Sequence, residues 1–189
     1  MTRFLALVAL ATSLALETAP APARRLPRAV LEDKVRGGWA GQMIGVAFGA
    51  PTEFRSKGKI LEGELAWTPD MLKNTIHQDD LYVEMTFAEV MDGIGLDATT
   101  EQYGEMFRDS KYSLWHANAG ARRLLNRGIK APMSGNPDYN VHANDIDCQI
   151  ESHFIHLRTP RPAQASNHYA DREGRVIHYG EGLYRGSVP

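Results

Sequence analysis

The sequence predicts an all-α chain, and three observations carry that expectation. Apolar residues recur at helical spacing over most of the length, helix caps and stops punctuate that recurrence, and strand-like alternation is nearly absent. At 189 residues, with 43% hydrophobic and 23% charged, the composition is that of a globular chain long enough for one ordinary domain. The formal net charge of −2 provides no broad basic field. A nucleic-acid partner is therefore not indicated, although Arg24, Arg25 and Arg28 cluster locally, and membrane-surface binding is equally unprompted.

Arg3 precedes an uncharged apolar run from Phe4 to Leu16, and Ala21-Pro22-Ala23 follows with small residues of the Ala-x-Ala kind. This pattern reads as a signal peptide over residues 1–23, cleaved after Ala23, which sends the chain to a secreted or periplasmic location with no stable membrane partner. A retained anchor is the other reading, and the run is short for a span. The single Cys148 forms no internal disulfide and reads as a small buried apolar residue.

Residues 29–49 read as a helix, with Val30, Val35, Trp39, Met43 and Val46 at spacings of three to five. Gly37, Gly41, Gly45 and Gly49 recur every fourth residue, and each costs up to about 1 kcal/mol of helix propensity relative to Ala. Close approach of another helix would offset that cost, so the segment reads as a buried central helix packed tightly on its neighbours. A long loop then runs to Thr75, and residues 81–92 form a helix apolar nearly all round. Thr99 and Gln102 offer a capping box for a helix to about Asp109.

Residues 113–126 read as another helix, closed by Gly128, and 129–144 as a loop rich in turn chemistry. Asn144 or Asp145 would cap a further helix through Ile150, Phe154 and Leu157 to Pro160, and Pro162 would open one ending near Gly174. Only residues 175–178 carry a strand-like alternation. The sum is about six helices with short to medium loops.

The adjacent carboxylates Asp79 and Asp80 stand where a loop runs into a helix. Two readings fit: a helix cap with its first turn, or outward oxygens for a hard cation such as Mg²⁺. His153 and His156, with Glu151 beside them, offer a weaker zinc pattern.

Three stretches taken together resemble the ADP-ribosylglycohydrolase family, of the dinitrogenase reductase-activating glycohydrolase type. They are Gly41-x-x-x-Gly45-x-x-x-Gly49-Ala50-Pro51-x-Glu53, then Gln78-Asp79-Asp80, then Asn140-x-x-x-Asn144-Asp145-Ile146-Asp147 with Tyr179-Gly180-Glu181-Gly182-x-Tyr184. The resemblance covers nearly all of residues 24–189. It implies a helical bundle holding two Mg²⁺ ions and cleaving a glycosidic bond to ADP-ribose or a related nucleoside or ribosyl compound, with a small-molecule or ADP-ribosylated substrate.

By the same resemblance Asp79, Asp80 and Gln78 are metal ligands and Glu53 is the catalytic carboxylate. Asn144, Asp145, Asp147, Tyr179 and Gly180 are substrate-binding candidates. Asp147 and Glu151, four apart on one helix, read either as part of this site or as an exposed acidic face.

There are departures. Gln78 stands where the family usually has Thr, Val46 where many members have Asp, and the family's later Asp-x-Asp segment is not found. The expectation is thus the N-terminal part of the family's domain, incomplete at the C-terminus and with an incomplete second metal site. Such a chain would be catalytically silent by itself and prone to self-association through uncovered apolar surface. The alternative is an exported ADP-ribose or nucleoside-binding helical module without turnover.

Overall fold

The computed structural model describes residues 25–158 and 163–187. The signal-peptide segment, Arg24, Pro160 and Pro162 lie outside the described residues. The elements are α1 (Arg28–Gly49), α2 (Asp79–Ile94), α3 (Thr100–Asp109), α4 (His116–Asn126), α5 (Asp147–Glu151), α6 (His153–Arg158), α7 (Ala163–Gly174) and α8 (Gly180–Gly186). The described residues contain no strand, so the all-α expectation holds. None of these helices is long and apolar enough to cross a membrane.

The central helix is α2. It buries Val83, Phe87, Val90 and Met91 against Tyr103 and Phe107 of α3, Ala117 and Ala121 of α4, and Phe154 and Ile155 of α6. The Phe87 ring meets Tyr103 edge-on at 5.8 Å and Phe107 at 5.6 Å. Its outer side is less apolar in effect than the sequence implies, because Met85 is 60% exposed.

The reading of α1 as the buried centre is corrected. Ala47 is its one buried residue, and a methyl group placed at Gly37, Gly41, Gly45 or Gly49 would meet nothing within 4 Å. α1 packs chiefly on the 3-10 segment Pro69–His77 and on α6, and reaches α2 through Gln42. The close approach falls instead at Gly38, where a side chain would collide with Leu157 of α6. Ile44 and Phe48 of α1 are exposed.

Thr99 caps α3 as the sequence indicates: its Oγ1 accepts from the Gln102 amide, and Gln102 Oε1 accepts from the Thr99 amide at 2.8 Å. Gly128 closes α4 with φ of 86°. The start of α4 falls at His116 rather than Ser113, because Trp115 is extended.

The single helix expected from Asn144 to Pro160 is two short ones, and Ile146 rather than Asn144 or Asp145 holds the cap position of α5. Ser152 explains the break. Its Oγ donates to the Cys148 carbonyl at 2.9 Å, the back-bonding that bends helices.

Residues 175–178 form a turn rather than a strand. The Ile177 and His178 amides both donate to the Gly174 carbonyl, and Val176 and Ile177 turn inward to the core. The following α8, read in the sequence only as a motif, presses on α5. Side chains at Gly182 or Gly186 would strike the Ala143 carbonyl or Cys148, whose thiol is buried as expected.

Three glutamates, Glu84, Glu151 and Glu173, lie wholly buried inside this frame. Burial, with Glu151 and Glu84 adding, pushes the Glu173 carboxyl well above its usual value near 4.5. A group whose folded pKa is raised contributes stability below its unfolded pKa and loses it as pH rises toward the folded value. Glu173→Gln keeps the shape of the protonated acid and removes that titration. Its melting temperature is expected to match the wild type near about pH 4 and exceed it at about pH 8, as followed by circular dichroism.

Candidate active site

An open cleft of ≈ 810 Å³ lies between the turn after α1, the start of α2, the start of α4 and the loop entering α5. Four loop or helix-start segments, none adjacent in sequence, supply most of its walls, with Ile150 of α5 and Arg185 of α8 completing them.

From the first comes Glu53, exposed at the end of the short 3-10 turn Ala50–Thr52, followed by Phe54. From the second come Gln78, Asp79 and Asp80, all half-buried. Gln78 occupies the cap position of α2 without a side-chain cap bond, which puts both aspartates in the first turn. In the cap reading of the Asp79-Asp80 pair, the cap position is therefore corrected to Gln78, while the first-turn placement holds. First-turn carboxylates still gain from the positive end of the helix dipole. From the third come Trp115 and His116, and from the fourth Asn144, Asp145 and Asp147. Arg185 of α8 is the basic residue on the wall.

The two non-glycine residues with positive φ among those described, Phe54 at 57° and His116 at 40°, both line this cleft. Backbone strain of this kind costs about 1–3 kcal/mol per residue and concentrates at functional sites. A smaller side pocket of ≈ 360 Å³ joins Glu53, Gln78 and Asp80 to Gly45, Val46 and Gly49 of α1.

The carboxylates crowd one another. Partial burial, then Asp79, and to a smaller degree Glu53, push the Asp80 carboxyl up to about 6. Burial, then Asp145 and Asp79, raise Asp147, whose Oδ1 accepts from Asn118 Nδ2 at 2.9 Å. Burial, then Asp147, raise Glu151 well above its usual value, and Glu151 is wholly buried rather than part of an exposed acidic face. Glu53, Gln78, Asp79 and Asp80 are all oxygen donors, the chemistry a hard divalent cation takes, but among the described residues the carboxylates of Glu53, Asp79 and Asp80 do not draw together into a ready ligand cluster.

The structure thus brings Glu53, Gln78, Asp79, Asp80, Asn144, Asp145 and Asp147 to one cleft. Tyr179 and Gly180 stand behind it. The Tyr179 amide donates to the Ala143 carbonyl at 3.0 Å, and Gly180, with φ of 54°, leaves room for the Asn144 side chain. They support the 143–145 loop rather than line the cleft.

The zinc pattern does not assemble, because His153 faces Glu84 at 3.5 Å and His156 Nε2 bonds the Gly186 carbonyl at 2.9 Å. Glu151 instead faces His178 at 3.7 Å. Sequence reasoning missed Trp115, His116, His142 and Arg185, which come together only through the packing of distant segments.

The described residues thus form an all-helical frame that gathers carboxylates around an open cleft. The model of the ADP-ribosylglycohydrolase family matches residues 27–188, and the chain belongs to that family. Comparisons with curated proteins and with solved structures gave no match.

The relative placement of Glu53 and the aspartates depends on Gln42, whose Nε2 donates to the Asp80 carbonyl at 3.0 Å and to Glu84 Oε2 at 2.5 Å. Gln42→Leu leaves the buried Glu84 oxygen without that donor. A loss of about 1–3 kcal/mol is expected in urea unfolding, with the slope unchanged.

Proposed function

We propose that the chain is a Mg²⁺-assisted glycohydrolase acting on a glycosidic bond to ADP-ribose or a related nucleoside or ribosyl compound. One observation carries the reading: the same cleft holds the oxygen donors Glu53, Gln78, Asp79 and Asp80 beside an exposed aromatic ring, Trp115, and a guanidinium, Arg185. Those groups match the parts of such a substrate. The indole face of Trp115 suits stacking on a nucleobase or sugar, and Arg185 suits phosphate.

Asp79, Asp80 and Gln78 would hold the cation, which when bound would orient ribose hydroxyls and acidify a water. Glu53, exposed on its turn, is free to reach in and take a proton from the attacking water or assist departure of the leaving group. Asp147, anchored by Asn118, stands across the cleft, where its carboxyl would hydrogen-bond substrate.

A second reading is binding without turnover. It is favoured by Gln78 and Val46, the latter an apolar side chain in the pocket beside Glu53. Calorimetric titration with ADP-ribose, run alongside hydrolysis of an ADP-ribosylated arginine or serine substrate, separates the two. Turnover supports the first, and binding with no product supports the second.

For the cation, Mg²⁺ at about a hundredfold its Kd should stabilise the wild type by about 2.7 kcal/mol, and Asp80→Ala should show no Mg²⁺-dependent gain. A wild-type melting temperature indifferent to Mg²⁺ would remove the ligand assignment. Export is proposed as well, from the apolar run and Ala21-Pro22-Ala23. Mass spectrometry of the protein from its native host should find a mature N-terminus at or near Arg24, and an intact Met1 would refute it.

A further inference from the structure

On the rim of the cleft stands a second donor set of different chemistry. His116 opens α4, while His142 and Asp145 belong to the loop before α5, and one ligand atom from each lies within 4.8 Å of the others. Asp145 Oδ2 is 3.0 Å from His142 Nδ1 and 4.0 Å from His116 Nδ1. The two imidazole rings meet edge to face at 5.4 Å.

A chance surface pair of His and Asp needs no scaffold, yet this trio has one. Asn140, 2% exposed, accepts from the His142 amide at 3.2 Å, and its Nδ2 donates to the Ala117 carbonyl, next to His116, and to the Ile177 carbonyl. A single buried amide therefore fixes the backbone of one histidine against the helix that starts with the other. The Asp145 amide donates to the His142 carbonyl at 2.9 Å, which closes the turn carrying the carboxylate. Behind the loop, Gly182 packs directly on the Ala143 and Asp145 carbonyls. The backbone is held from the core side while the three donor groups point outward.

We infer that His116, His142 and Asp145 bind a divalent transition-metal ion of the zinc or cobalt kind, with open coordination positions toward the cleft. Two imidazoles and one carboxylate suit such an ion, whereas Mg²⁺ takes oxygen donors. Tetrahedral zinc, with bonds of about 2.0–2.2 Å, wants donors roughly 3.3 Å apart, so the observed separations need only small rotations. His116 is exposed and the other two are half-buried, so those rotations leave the core untouched. His116 and Asp145 line the cleft, which places a water or substrate oxygen on the open side of the ion within reach of the same cavity as Glu53. The site is separate from the Asp79-Asp80 oxygen set and does not depend on the hydrolase reading.

The test uses the full chain without a polyhistidine tag, with excess Mg²⁺ present to fill the oxygen site. Isothermal titration with Zn²⁺ and visible absorption with Co²⁺ should show one bound ion per chain and the intense bands of low-coordinate cobalt. His142→Ala and His116→Gly should each weaken binding at least about tenfold and abolish the bands, while Asp80→Ala should leave both intact. Glycine at position 116 suits the positive φ, so that variant removes the imidazole without straining the turn, and its melting curve verifies folding. No saturable binding in Mg²⁺, or binding lost in Asp80→Ala and kept in both histidine variants, would overturn the site. Neither result bears on whether Mg²⁺-dependent hydrolysis occurs.

Discussion

The joint between α1 and α2 is a hydrogen-bonded amide more than a hydrophobic seam. With Ala47 its one buried residue, α1 gains little from burial, and Trp39 adds only a partly buried contact. Gln42 supplies what the apolar face does not, reaching the Asp80 carbonyl and the Glu84 carboxyl from one nitrogen. Hydrogen bonds to carboxyl groups are worth about 1.5–3 kcal/mol when the group is charged, comparable to burying one large apolar side chain. Glu53 follows directly from the end of α1, and Asp79 and Asp80 begin α2. Gln42 therefore ties the helix that leads to Glu53 to the helix that starts with Asp79 and Asp80.

That joint holds an arrangement that works against stability. Glu53, Asp79, Asp80, Asp145 and Asp147 share a cleft with one arginine, where burial, and then the neighbouring carboxylates, push the Asp80 and Asp147 carboxyls up. A fold optimised for stability alone would spread these groups into solvent. Two positive-φ residues in the same cleft add backbone strain. Sequence choices that cost stability locally, while the surrounding helices agree with the pattern, are the mark of a site.

The helices were legible where local chemistry sets them, as in the Thr99 and Gln102 box and the Gly128 stop. They were misread where side-chain competition decides. Ser152 bonds its own helix and breaks it, a choice that apolar spacing through Ile150, Phe154 and Leu157 does not reveal. Residues 175–178 look like a strand because Val176 and Ile177 are apolar neighbours, yet a turn buries both. The site divides the same way. Adjacency in sequence exposed Asp79 with Asp80, and the family resemblance pointed to Asn144, Asp145 and Asp147. His116 and His142 meet only because buried Asn140 ties their segments, and a pairing made by tertiary structure leaves no local signal.

The glycines show why spacing alone misleads. Regular four-residue spacing in α1 implied a packed face, but a side chain at any of those positions would find open space, whereas close packing depends on glycines outside that series, Gly38 in α1 and Gly182 and Gly186 in the short α8 among them. A bare helix face costs propensity whether or not a partner covers it. For Gly45 and Gly49 the compensation is visible in another place: both line the side pocket that joins Glu53, Gln78 and Asp80. A side chain at either would project into the space beside the carboxylates. The spacing read as helix packing thus, over its last turn, borders an open pocket rather than a packed neighbour.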